Sequence, residues 1–238
     1  MRQRLLRALA AYREEIGARD VAVRWQWEGL GTLTGKRVLE IGAGAGNVLT
    51  MEIARASREY LAVDRDGARI GRLAEKLEAE GLRHAQAVKR DLLEDGWPFG
   101  AFDVVYAGSV LHAFADGRLA GRVLREKMNE GAVLVAWEPL AVGWVNRLGR
   151  ALHRPFREDR KWHHPLTERW LEEFGKELRL ERARGLLGWS RWAFPLYLVP
   201  GLRGVAVRLG RWLFAREAGH KDLRGFHQAV LVWRKVSE

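Results

Sequence analysis

The chain has 238 residues, 47% of them hydrophobic, enough for one sizeable core with an elaboration and too few for two independent domains. It contains no cysteine, which excludes disulfides, thiolate metal sites and a cysteine nucleophile. The formal net charge of +11 is uneven: residues 1–138 carry 21 Lys+Arg against 20 Asp+Glu, residues 139–220 carry 16 against 8, and such a basic C-terminal part suits nucleic acid, an anionic membrane surface or an acidic substrate.

Residues 1–30 read as a helical N-terminal extension, with Leu5, Leu6, Leu9, Tyr12 and Ile16 at helical spacing. The basic start runs into Tyr12-Arg13-Glu14-Glu15 instead of a long apolar stretch, so it does not read as a secretory signal and a cytoplasmic location is expected. Strands are expected near 37–41, 59–64, 85–89, 102–106 and 132–137. Helices separate them, among them 67–80 and 115–129, the latter with Leu119, Val123, Leu124 and Met128 on one face. Strand alternating with helix means an α/β fold with a parallel sheet. Further strand candidates lie near Leu178–Arg184 and at Phe226–Arg234. The core therefore spans 31–184 and closes with 221–238, and residues 185–220 form an insertion where a short connection would serve.

The first strand, Val38-Leu39-Glu40-Ile41, runs into Gly42-Ala43-Gly44-Ala45-Gly46-Asn47. Glycine at every second position implies a small molecule lying against bare main chain. Asn47 leaves the pattern as GxGxG, without the third glycine of the dinucleotide fingerprint. Glu40, two residues before the first glycine, could accept hydrogen bonds from a cationic amino-acid ligand, directly or through water. Together these features point to S-adenosylmethionine.

In these residues the chain resembles the class I S-adenosylmethionine-dependent methyltransferases, whose first motif reads acidic-x-Gly-x-Gly-x-Gly. The resemblance implies a Rossmann-like, seven-stranded, mostly parallel sheet with helices on both faces, the last strand an antiparallel edge and the insertion helical. It also implies S-adenosylmethionine contacts from Glu40, Gly42, Ala43, Gly44 and Gly46. Eighteen residues after Gly46, Tyr60-Leu61-Ala62-Val63-Asp64 ends in an acid spaced for the ribose hydroxyls, with Arg65 beside it. Asp91, followed by Leu92, matches the acid that reaches the adenine amino group. Ala101–Tyr106 resembles the fourth strand. Tyr106 is expected to line the pocket and not to act as a base, since a phenol titrates near about 10.

Acceptor-side candidates come from three places. His112, in Ser109-Val110-Leu111-His112-Ala113-Phe114, stands where many relatives carry two histidines, and Ala113 takes the second place. Glu138, in Trp137-Glu138-Pro139-Leu140, sits at the carboxyl end of a strand, where open α/β sheets build sites. His164, in His163-His164-Pro165-Leu166, matches a Glu-His-Pro-Leu motif in a subset of the family, with His163 replacing the glutamate. These three are the catalytic candidates. No metal site is expected, because adjacent histidines share poor ligand geometry and nothing completes a set of four.

The insertion interleaves apolar and aromatic residues with Arg191, Arg203, Arg208, Arg211 and Arg216. Its longest uncharged run, Trp192 to Leu202, holds two prolines and falls short of the roughly 20 apolar residues a span requires. It reads as a lid, a dimer contact or an interfacial element on anionic lipid. A small-molecule methyltransferase with a hydrophobic or amphipathic acceptor, such as a lipid, quinone precursor or polyketide-like metabolite, is the leading expectation, with the chain a monomer or homodimer. The alternatives are an RNA or DNA methyltransferase using the basic part, and a cofactor-binding protein without turnover. An Asn/Asp-Pro-Pro-Tyr-type motif is missing after strand four, where Ala107-Gly108-Ser109-Val110 stands.

Overall fold

A computed structural model describes residues 2–94, 96–143, 164–220 and 222–236. Two helices come first, α1 (Arg2–Glu15) and α2 (Ala18–Leu30), broken at Gly17, whose φ of 79° ends the first helix. The single helical run expected over 1–30 is thus a pair. Tyr12 and Ile16 are buried, whereas Leu5 and Leu6 face solvent.

The sheet contains β1 (Arg37–Ile41), β2 (Glu59–Asp64), β3 (Ala85–Lys89), β4 (Phe102–Gly108), β5 (Met128–Pro139), β6 (Arg179–Leu186) and β7 (Gln228–Arg234). Between them run α3 (Val48–Ala56), α4 (Gly67–Ala79), α5 (Gly117–Glu126), α6 (Glu168–Gly175) and α7 (Arg203–Glu217). Asn47, Asp66, Asp116 and Thr167 cap α3 to α6 with side-chain oxygens that accept from first-turn amides. The expected helix over 115–129 stops at Glu126. Its buried face is Gly117, Ala120, Gly121 and Leu124, Leu119 is exposed, and Met128 already belongs to β5.

The strand order is β3-β2-β1-β4-β5-β7-β6, a seven-stranded sheet in which β7 alone runs antiparallel to its neighbours. The order in which strands are laid down reverses between β1 and β4, which run parallel, and this is the crevice where such sheets bind ligands. Side chains alternate between two cores. Val38, Tyr60, Tyr106 and Val135 face α1–α4 and α7, while Leu39, Leu61, Val105 and Leu134 face α5 and α6.

The expectation of an edge position for the last strand is corrected: β7 lies between β5 and β6, and β6 is the edge. Composition explains the exchange. Ala229-Val230-Leu231-Val232-Trp233 is buried throughout and needs a neighbour on each side, whereas Arg179, Glu181 and Arg182 make β6 a charged edge.

The insertion begins at β6's end with a 3-10 turn, Ser190–Ala193, and a single α-turn, Phe194–Tyr197, before α7. It is packed on α1. The Tyr12 hydroxyl donates to Ser190 O at 2.6 Å, and Tyr12 meets Phe194 and Tyr197 edge to face or tilted. The buried Glu217 carboxylate accepts from the amides of Gly188, Trp189 and Ser190 and from the Ser190 hydroxyl.

Candidate functional site

The glycine turn closes β1 with three left-handed residues, Gly42, Gly44 and Gly46, at φ of 66°, 55° and 67°. The end of β2 holds it: Gly42 N donates to Val63 O at 2.8 Å and Gly44 N to Asp64 Oδ2 at 2.8 Å. Asp64 Oδ1 accepts from Asp66 N at 2.8 Å, so this carboxylate fixes the turn it was expected to serve. Crowding adds to the backbone requirement. A Cβ on Gly42 would stand 2.5 Å from Val110 Cγ2, and one on Gly44 would press on the Arg69 guanidinium.

Glu40 is buried beneath this turn. Its Oε1 accepts from the Thr50 hydroxyl at 2.9 Å and its Oε2 from the Tyr60 hydroxyl at 2.7 Å. Burial pushes its carboxyl up to about 7, with the two hydrogen bonds pulling the other way. Beyond β3, Asp91 Oδ1 accepts from Leu93 N at 3.0 Å, and Asp91 Oδ2 lies 3.8 Å from Arg65 Nη1. Leu92 is buried in the second core. Gly42, Ala43, Gly44, Gly46, Asp64, Arg65, Asp91 and Leu92 thus stand at the carboxyl ends of β1–β3. A turn of bare main chain flanked by two carboxylates fits a nucleoside with ribose and adenine donors.

Tyr106 stands elsewhere. It pairs in register with Glu40, is 2% exposed, and donates its hydroxyl to Gln26 Oε1 of α2 at 2.6 Å. Burial, with the charges of Glu40 and Glu138, pushes this phenol far above its ordinary range, which rules it out as a base near neutrality.

The acceptor-side candidates converge. Glu138, fully buried at the end of β5, uses Oε1 to accept from Val110 N at 2.7 Å and Leu111 N at 2.6 Å. Its Oε2 lies 2.9 Å from His112 Nδ1. Leu140 bridges Leu166, and His164 N donates to His112 O at 2.7 Å, so His164 joins through its backbone while its ring side is exposed. His163 lies outside the described residues. With Nδ1–H given to Glu138, the bond assigns His112 the tautomer whose Nε2 accepts a proton. Ser109, at φ 64°, turns the chain from β4 into this constellation, and a non-glycine residue held there is strained. Val110 joins the two halves by lying over Gly42.

Sequence reasoning missed Thr50, Tyr60, Gln26 and Arg69. Tyr60 carried a signal, as the polar-tipped side chain that opens the run Tyr60–Val63 before Asp64; Gln26 and Arg69 carried none, lying on helices with no motif.

Residues 39–134 match the family model for a methyltransferase domain. The highly reducing polyketide synthase ctvA of Aspergillus terreus is 31% identical over 141 residues, covering 53% of this chain and 6% of that one. The chain thus spans a small fraction of that relative's length. Coclaurine N-methyltransferase, bound to N-methylheliamine and S-adenosylhomocysteine, superposes with a TM-score of 0.62 at 13% identity, covering 90% of this chain and 71% of that one. Geranyl diphosphate C-methyltransferase from Streptomyces coelicolor, in complex with Mg2+, geranyl diphosphate and S-adenosylhomocysteine, gives 0.61 at 12% identity, covering 92% and 81%. At these identities the superpositions establish the shared fold.

Proposed function

The chain carries a class I S-adenosylmethionine-dependent methyltransferase domain, and from that premise we propose that it methylates a small, apolar or amphipathic acceptor held beside His112. The observation that carries this reading is the 2.9 Å bond between His112 Nδ1 and Glu138 Oε2, two residues along the chain from Val110, which lies over Gly42. S-adenosylmethionine, when bound, supplies a methyl group already activated on a sulfonium, so positioning can provide roughly 7–11 kcal/mol of the barrier reduction. Gly42, Gly44 and Gly46 with Asp64 and Asp91 would hold it. Glu138 is the positioning residue: it fixes the imidazole's tautomer and plane and binds the amides that precede it. His112 Nε2 then takes the proton that a hydroxyl or carbon acid must lose as its new bond to carbon forms. The relatives' acceptors, geranyl diphosphate and a coclaurine, and a polyketide synthase among the curated matches, support a small organic molecule over a macromolecule.

Labelled methyl transfer from S-adenosylmethionine into a cell extract, followed by organic–aqueous partition, tests the reading. Label should enter the organic phase, and His112→Gln should lower it by roughly 10²–10⁴-fold with cofactor affinity by calorimetry within about twofold. Label confined to nuclease-sensitive material would overturn it in favour of a nucleic-acid acceptor.

A further inference from the structure

The outer face of α7 carries a continuous stripe. Leu202, at its N-cap, and then Val205, Leu209, Trp212 and Arg216 follow at steps of three and four residues, which stack on one side of a helix. The four apolar members are 38, 45, 38 and 53% exposed. The neighbouring face, Ala206, Gly210, Phe214 and Glu217, is buried, and Gly210 lies so near the Tyr12 hydroxyl that any Cβ there would collide with it. This clamp sets the rotation of α7, so the stripe cannot turn inward. The 3-10 turn that packs against α7, with the residue before it, brings Trp192 and Trp189, 57% and 72% exposed.

Charge identifies the occupant. Residues 185–216 contain five arginines and no aspartate or glutamate, and the first acid after them, Glu217, is spent inside on the amides of 188–190. The Arg216 guanidinium lies 3.7 Å from the Trp212 ring centroid, and exposed Arg208 flanks the stripe. Arg203 and Arg211 are held by Glu15 of α1, so we infer that this face seats on an anionic lipid surface with the tryptophans and leucines at headgroup depth and Arg208 and Arg216 on lipid phosphates. Among the described residues no helix is long and apolar enough to cross a membrane, so the contact lies in the plane of the interface. A second copy fits poorly, because Glu15, the carboxylate at this face, is already paired with Arg203, and two such faces would set Arg208 and Arg216 against their own copies. Nucleic acid would leave the leucines and valine unused.

The face is rooted at the site. Leu186, where β6 ends, shares Gln228 of β7 with Pro139, the residue after Glu138. An amphipathic molecule drawn from the lipid would therefore arrive at the sheet end that holds His112. The surface itself is independent of the acceptor assignment.

Flotation of the full chain with vesicles, without cofactor or acceptor, separates the two readings. The protein should float with phosphatidylcholine–phosphatidylglycerol vesicles and stay behind with phosphatidylcholine alone, and added salt should release it. Leu209→Ser and Trp212→Ser should each weaken partition roughly tenfold, and Arg208→Gln roughly fivefold, with melting temperatures unchanged because these side chains are exposed. Flotation with neither vesicle, or variants that float like the parent, would overturn the proposal. So would a dimer in sedimentation that Leu209→Ser dissociates, or salt-sensitive retention on RNA that Trp212→Ser leaves intact. None of these results bears on methyl transfer, which the extract assay reads separately.

Discussion

The two ends of the crevice are built by opposite means. On the β1–β3 side, a run of six residues, 42–47, makes the ligand-facing surface from its own main chain, and one carboxylate, Asp64, holds it in place. On the β4–β5 side nothing local suffices: Glu138 reaches back 27 positions to Leu111 N and 26 to the His112 ring, and the His164 amide comes from beyond a further connection. A surface made of backbone depends on glycine conformation; one made of side chains depends on strand register. The first depends on the glycines and on the Asp64 carboxylate that holds them, and the second fails wherever β5 shifts.

Substitutions should therefore separate cleanly. The largest effect is expected from Glu138→Gln, which keeps an acceptor for the amides of Val110 and Leu111 but offers His112 Nδ1 an amide. Turnover should fall by roughly 10²–10³-fold and its pH profile should shift, while calorimetric cofactor affinity stays level. Equal losses in affinity and turnover would mean that the two sides are one unit. Next comes Gly44→Ala, where left-handed backbone costs a side chain about 1–2 kcal/mol and the Arg69 guanidinium must move, so affinity should drop roughly ten- to a hundredfold with turnover at saturation preserved. Unchanged affinity would remove the turn from the binding surface.

Glu40→Gln probes what lies beneath the glycine turn and gives the smallest change in turnover, its effect being read in stability. Because the folded carboxyl is raised from 4.5 to about 7, its contribution to stability is full below pH 4.5 and is lost as pH rises through 7. Ionised Glu40 then costs on the order of 3 kcal/mol. The variant should gain melting temperature over the parent at pH 8 and not at pH 4, yet bind cofactor more weakly. Parallel melting curves at both pH values would show that Thr50 and Tyr60 compensate the charge in full.

The same division explains what could be read in advance. Gly42 to Asn47 and Asp64 are legible because alternation of glycine and the distance to the next strand's acid are one-dimensional properties. The His112–Glu138 pair is not, since it depends on β4 and β5 lying side by side with Ala107 opposite Ala136. His112, Glu138 and His164 could be named singly, but their convergence required the bridge of Leu140 to Leu166. The place of β7 was misjudged because the family resemblance implied an antiparallel edge, whereas its uninterrupted apolar run demanded two neighbours. The N-terminal pair of helices seemed an appendage, yet Gln26 of α2 caps the Tyr106 hydroxyl inside the sheet's first core.

The interior seat of β7 has a consequence in time. In synthesis β6 emerges before the strand that will hold it, and β5 waits with one flank bare, Ala136 and Glu138 included, until Leu231 and Ala229 arrive to pair with them. Residues made after both therefore lock the strand that orients His112. A ribosome that has finished the glycine turn long before has still not produced a working pair of sides, and the chain becomes competent on that flank only when β7 slides home.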